Sequence, residues 1–250
     1  MTSQAPSLRP IPPSWQPFEA VVEGRRSVHA FDPAPVSEEN MRAVLGAAVL
    51  APSSFNMQPY QLVWVHSTET RQELARLCLA QRPAVTAAEL IVCVARWDTW
   101  RETEAEHEAF LASRADASDD ARRHQAMVRD KAPFFFAEGP LNVFGLLRTL
   151  LIRLRGLRRP QLTPPGSADE HRTWAVKSAS LACAHLMLAA RARGLDTCAM
   201  EGFDHGRVVK LLGLAGRFFI PMIIAVGYRS AEDVSEPRFR RPLDRLVRKV

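Results

Sequence analysis

"LAPSSFNMQPY", Leu50 to Tyr60, joins a run patterned as a helix to a run patterned as a strand. Two prolines, two serines, an asparagine and a glutamine fall between apolar residues. Pro, Ser and Asn at such a junction build turns through fixed φ angles and local side-chain hydrogen bonds. The same residues also form a concentrated set of donors and acceptors, suited to a flat polar ligand. The flanking elements, and the polar patches elsewhere in the chain, bear on that choice.

On the N-terminal side, "VSEENMRAVLGAAVLA" predicts a helix. Ser37 is placed to cap it, Glu38 and Glu39 suit its first turn, and Met41, Val44, Leu45 and Ala48 share one face. On the C-terminal side, "QLVWVH" (61–66) predicts a strand, "TETRQELARLCLA" a helix and "ELIVCVARW" (89–97) a buried strand. Residues 100 to about 131 are charged and helical in pattern. "DEHRTWAVKSASLACAHLMLAARARGLD" reads as a long helix stopped by Gly194. "TCAMEGF" reads as a short strand or turn, "DHGRVVKLLGL" as a helix capped by Asp204, and "FFIPMIIAVGYRS" as a core strand. This is an α+β order, not the strict strand–helix alternation of a doubly wound fold.

The chain has 250 residues, 47% hydrophobic and 24% charged, with a formal net charge of +6. That suits one globular domain at residues 16–250, preceded by a Pro-rich, extended arm at 1–15. The small basic excess suits an anionic ligand. The start lacks a basic region followed by an apolar core, and the longest charge-free apolar run, Ser178 to Ala190, is too short to span a bilayer; a cytoplasmic protein is expected. Cys78, Cys93, Cys183 and Cys198 lack metal-ligand spacing and sit among apolar neighbours, so buried free thiols and no metal site are expected.

No G-x-G-x-x-G turn and no Walker-type loop is present, so a bound nucleotide must be held by side chains. Four patches offer them. "RRSVHAFD" supplies Arg25, Arg26, Ser27 and His29. The opening loop supplies Pro52, Ser53, Ser54, Asn56 and Gln58. "MEGF" supplies Glu201 and Gly202, and "PRFRRP" supplies Arg238, Arg240 and Arg241. Each alone also reads as solvated surface or an ordinary turn. Together, Arg25 and Arg240 suit a phosphate through fork-shaped contacts. Asn56 and Gln58 suit the donors and acceptors on a flavin's pyrimidine edge, and Gly202 lets a backbone N–H approach a ligand closely.

The order "RRS…APSS-x-N-x-QP…MEGF…VGYRS…PRFRRP" resembles the nitroreductase family of FMN-dependent oxidoreductases, over about Phe18–Ala95 and Trp174–Pro242. The resemblance implies a mainly antiparallel central sheet flanked by helices, and an interlocked homodimer with an extended C-terminal arm. It implies that Arg25, Arg26 and Ser27, with Arg238 and Arg240, hold the FMN phosphate and ribityl chain. Asn56 and Gln58 would contact the isoalloxazine ring, and Pro52, Ser53 and Ser54 would touch the flavin from the partner subunit. Gln81 would be a ring or ribityl contact, and Glu201 and Gly202 would form the loop beside flavin N5. His29 stands where the family often carries Lys or Arg.

The activity so implied is ping-pong: NAD(P)H reduces bound FMN, which then reduces a nitroaromatic, a quinone or another electron-poor acceptor. The alternatives on this scaffold are a dehalogenase, a dehydrogenase, a flavin-fragmenting enzyme or a non-catalytic FMN store. No catalytic triad or paired acid and base is evident, and Glu201 is near the chemistry by motif only. Nucleic-acid binding is not expected, because the arginines of 139–159 alternate with leucines rather than with stacking aromatics.

The segment Ala132 to Ala168 fits no common pattern of the family. It has no acidic residue after Glu138, and arginines alternate with leucines. Three readings stay open: a lid over the substrate channel with Phe134, Phe135, Phe136 and Phe144 as lining, a helix packed on protein, or a basic amphipathic helix on an anionic membrane surface.

Overall fold

The structure is a computed structural model that describes residues 13–137, 143–160, 165–233 and 237–250. Its frame is one four-stranded antiparallel sheet in the order β1-β2-β4-β3: β1 Tyr60–Val65, β2 Glu89–Arg96, β3 Asp196–Met200 and β4 Phe218–Gly227. β2 is buried on both faces almost throughout, which explains its unbroken apolar run. Period-2 alternation sorts its side chains. Ile91, Cys93 and Ala95 enter one core, and Leu90, Val92 and Val94 enter the other. Full burial of a side chain such as Ile91 contributes roughly 1.5–3 kcal/mol.

The first core is closed by α2 (Glu38–Ala48), α6 (Asp119–Phe136) and the long α8 (Ala168–Ala192). The second is closed by α3 (Thr68–Leu77), α4 (Arg82–Thr86) and α9 (His205–Leu211). The expected caps are present: Ser37 accepts from the Asn40 N–H and Asp204 from the Arg207 N–H. Gly194, at φ +75°, ends α8. The remaining helices are α1 (Trp15–Gly24), α5 (Trp100–Ser113), α7 (Val143–Gly156) and α10 (Leu243–Leu246).

Several expectations change in detail. The stretch from residue 100 is two helices, α5 and α6, and α6 continues through Pro133 to Phe136. The small residues Ala175, Ala179 and Cys183 of α8 are buried in the first core, and α8 packs against α2 and the sheet. All four cysteines are free and buried. No helix among the described residues is long and apolar enough to cross a membrane, and no described cluster could hold a metal. Residues 1–12 of the Pro-rich arm lie outside the described residues, as do residues 138–142 and 161–164 of the expected lid and the side chain of Phe144.

Candidate functional site

Residues 25–32 run as an extended segment beside β3, with Val28 and Ala30 buried and Arg25, Ser27 and His29 on the alternate, more open side. Most of its N–H groups have a partner. Val28 N–H donates to Thr197, Asp32 N–H to Tyr228, and Ala30 accepts from Ser230. The His29 and Ala30 N–H groups both donate to Asp233 Oδ1, at 2.8 and 3.1 Å, and Phe31 N–H donates to Thr86 Oγ1. The Phe31 ring lies over Gly227, where a Cβ would come within 3.0 Å of it, so a side chain there would require the ring to shift. Below this segment the buried Asp196 accepts two bonds from Arg229, at 2.9 and 3.2 Å, and lies 3.5 Å from Arg191. The arginine of "VGYR" is thus a brace for the segment. Asp233, Thr86 and Asp196 carry no motif that would single them out in the sequence.

The C-terminal segment returns to the same place. Arg238 Nη2 donates to the carbonyls of Glu23 and Arg25, at 2.6 Å each. Burial, and then the charges of Arg238, Arg240 and Arg26, pull the Arg25 guanidinium below its ordinary pKa. Among the described residues no carboxylate pairs with Arg25. A guanidinium held among like charges, with no described carboxylate paired to it, is what an anion site requires.

Gln81 links this edge to the "MEGF" loop. The turn before it holds Leu79 and Ala80 at positive φ, 57° and 50°. Its Nε2 donates to Cys78 O at 2.9 Å and Gly202 O at 2.5 Å. Glu201 and Gly202 are exposed, and the Gly202 N–H finds no acceptor among the described residues. After them the His205 ring stacks between Phe203 and Phe219.

The opening loop is different. Phe55, Asn56 and Gln58 all have positive φ, 56°, 54° and 43°. Such conformations cost about 1 kcal/mol or more each in non-glycine residues and concentrate at functional sites. Ser53 Oγ accepts from the Gln58 N–H at 2.9 Å, and Gln58 Nε2 donates to Asn56 Oδ1 at 3.4 Å. That leaves Asn56 Nδ2 as a donor and Gln58 Oε1 as an acceptor, side by side and exposed. Pro52 and Ser54 are open to solvent to differing degrees. Phe55 anchors the loop against Phe135 and Phe136, at 5.3 and 6.1 Å between rings.

Of the phenylalanines expected to line a channel, Phe135 and Phe136 are therefore core residues, packed with Trp100 and Trp174. Phe134 is exposed. A cleft of about 500 Å³ opens beside Gln58, bounded by Tyr60, Arg96, Glu102 and Glu106. A second, of about 720 Å³, lies between α8 and β4, bounded by Arg172, Val176, Lys177, Leu181 and Phe219.

The strand registers place these groups. The start of β1, the start of β4 and the end of β3 lie at one end of the sheet, so the opening loop, Phe219 and Gly202 share that end. The loop is at the β1 edge, however, and Arg25, Gln81 and Gly202 are at the β3 edge. The edges are three strand spacings apart, about 14 Å. One chain gathers the arginine cluster along the β3 edge and joins Gln81 to Gly202 past the end of β3, and leaves Asn56 and Gln58 across the sheet.

Comparisons with known proteins agree with this fold. The model of the Nitroreductase family matches residues 22–228. A Bacillus subtilis (strain 168) protein classed as an NAD(P)H nitroreductase, YodC, is 28% identical over 208 residues, 83% of this chain and 87% of the relative. An NADH dehydrogenase of Thermus thermophilus is 28% identical over 223 residues, 89% and 91% of the two chains. Among solved structures, ydfN of Bacillus subtilis superposes with a TM-score of 0.73 at 23% identity, over 94% of this chain and all of that one. A protein from Exiguobacterium sibiricum classed as a nitroreductase, solved in complex with FMN, gives 0.65 at 23% identity, over 93% and 97%.

Proposed function

The chain belongs to the nitroreductase family, and from that premise we propose that it is an FMN-dependent NAD(P)H oxidoreductase acting on an electron-poor small molecule. The observation that carries this reading is the arginine cluster at the β3 edge, where Arg25 faces Arg26, Arg238 and Arg240 without a described carboxylate beside it. That donor set fits the phosphate of FMN, and the free Asn56 donor and Gln58 acceptor fit the edge of its ring. When bound, FMN supplies the redox chemistry, taking two electrons from NAD(P)H and giving them to an acceptor such as a nitroaromatic or a quinone in alternate half-reactions.

The chain's own residues bind and orient. Arg25 and Arg240 hold the phosphate, and Arg238 fixes the carbonyl of Arg25 so that its side chain is aimed. Gln81 holds the carbonyl of Gly202, which turns the Gly202 N–H outward as a donor. Two copies complete each site: the β1-edge loop of one chain meets the β3 edge of the other, since one chain keeps them about 14 Å apart. The exposed Trp15, Phe18 and Val22 on α1, with Phe239, Leu243 and Leu246 in the C-terminal segment, supply apolar surface for a homodimer.

The test is a visible spectrum of the purified protein followed by anaerobic addition of NADH or NADPH. A yellow protein that bleaches is expected. A yellow protein that no reduced nicotinamide bleaches favours a flavin store, and a colourless protein that takes up no added FMN overturns the cofactor assignment.

A further inference from the structure

Helix α7 is built the wrong way round for a helix covered only by its own chain. The side turned to the protein carries Gly145, Arg148 and Ile152, and the side turned to solvent carries Leu147, Leu150, Leu151 and Leu154. Those leucines recur at i, i+3, i+4 and i+7, one continuous stripe, and are 59%, 58%, 39% and 57% exposed. Leu157, just past the helix end, is 83% exposed.

The orientation is fixed from beneath. Arg148 is buried and donates to the carbonyls of Phe134 (2.5 Å), Ala137 (3.3 Å) and Pro165. The first two lie at the C-terminal end of α6, where helix carbonyls attract a cation. Rotating α7 to bury the leucines would take Arg148 off those carbonyls.

Charge identifies the occupant. Arg155 lies at one margin of the stripe and Arg153 at the other, both exposed, with Arg158 following the helix. No acidic residue occurs from Val143 to Pro160. A hydrocarbon stripe bordered on both sides by arginines matches a surface that is apolar in depth and anionic at its face. We propose that α7 docks the protein on an anionic lipid bilayer, lying in the plane of the interface with its leucines in the acyl boundary and its arginines among the headgroups. At 14 residues the helix is about 21 Å long, too short to cross a core of about 30 Å, so it lies flat.

The test is flotation of the full-length protein with vesicles of phosphatidylcholine alone and of phosphatidylcholine mixed with phosphatidylglycerol. Co-flotation with the anionic vesicles, reduced by high salt and absent with the neutral ones, is the expected result. Arg153→Glu with Arg155→Glu should weaken partitioning at least about tenfold, since each basic residue at such a surface is worth about a fivefold change. Leu150→Asp with Leu154→Asp should abolish it. Circular dichroism checks that each variant folds. No co-flotation of the parent overturns the proposal. So does co-flotation undiminished in the leucine variant, which would place the contact on another basic surface such as residues 237–250. A leucine variant that also changes from dimer to monomer in light scattering overturns it in favour of a second copy on the stripe.

Discussion

The two edges of the sheet hold their polar groups by opposite means. At the β3 edge, residues 25–32 are stitched to β3, to the residues after β4, and to Thr86 and Asp233, and most of their N–H groups have a partner. At the β1 edge, residues 55–58 form a tight turn held by its own short-range backbone bonds, the Ser53 hydroxyl, buried Met57 and the Phe55 anchor, with three non-glycine residues at positive φ. The first edge gathers positive charge on a hydrogen-bonded segment, as the proposed phosphate clamp requires. The second is a strained loop that presents two amides outward. A clamp suits a phosphate, whose binding is electrostatic and insensitive to small shifts. A strained loop suits a planar edge, where a donor and an acceptor must face a fixed pattern.

The comparison is most exposed to test at the clamp. Arg25→Ala with Arg240→Ala removes two charge-assisted forks, each worth about 1.5–3 kcal/mol. FMN affinity should fall by at least about 100-fold, read from flavin retained after gel filtration. Stoichiometric flavin in that variant would remove the phosphate from the β3 edge altogether. Next in size is a mixing experiment that asks whether the two edges serve one site through two chains. Chains with the arginine defect are co-expressed under separate tags with chains carrying Asn56→Ala and Gln58→Ala. In a mixed dimer one site then holds both defects and the other neither, so about half of the sites should bind flavin normally. If both edges belong to the same chain's site, the mixed dimer recovers none.

Much of this frame is legible in the sequence because it rests on local chemistry. Strand alternation, the caps at Ser37 and Asp204 and the stop at Gly194 are short-range signals, and each appears where the residues place it. The four polar patches are legible as well, but the sequence does not say that three of them lie along one edge while the fourth lies across the sheet. That separation follows from the strand order, a long-range property. Phe135 and Phe136 show the same limit: a run of aromatics at the end of a helical pattern reads equally as pocket or core, and packing on Trp174 and Trp100 decides for core. The leucines of α7 are the converse case. Their spacing announces a stripe, and only the anchoring of Arg148 under α6 shows that the stripe faces outward.

A smaller effect sharpens the contrast at the strained loop. Asn56 has φ 54°, a conformation glycine adopts freely. Asn56→Gly should therefore raise stability by about 1 kcal/mol, measured by urea denaturation. The same change removes the Nδ2 donor, so FMN affinity should fall roughly fivefold. Opposite signs in the two measurements mark a residue kept strained for recognition. A loss of both would make Asn56 a structural turn residue.

The last expected effect is an acid sensitivity seated beneath the β1 edge. His171 is fully buried on α8, its Nδ1 donating to the Ser167 carbonyl at 2.9 Å. Burial, reinforced by Arg148 and opposed by Ser167, Phe135 and Glu170, holds its pKa below the ordinary value. Well above about pH 6.5, the ordinary histidine value, the imidazole is neutral in both folded and unfolded chains and contributes no pH dependence. Below that, the unfolded chain takes up a proton that the folded one refuses, so stability falls with pH, by at most about 1.4 kcal/mol per unit, until the folded value is reached. Phe135, beside His171, is also the anchor of Phe55, so the destabilised region is the support of the strained loop. Urea denaturation of the parent and of His171→Gln at pH 7 and pH 5 separates the cases. The parent should lose more stability than the variant, because glutamine does not titrate. Equal losses would assign the acid sensitivity to other groups and leave the β1 edge no weaker in acid than the clamp across the sheet.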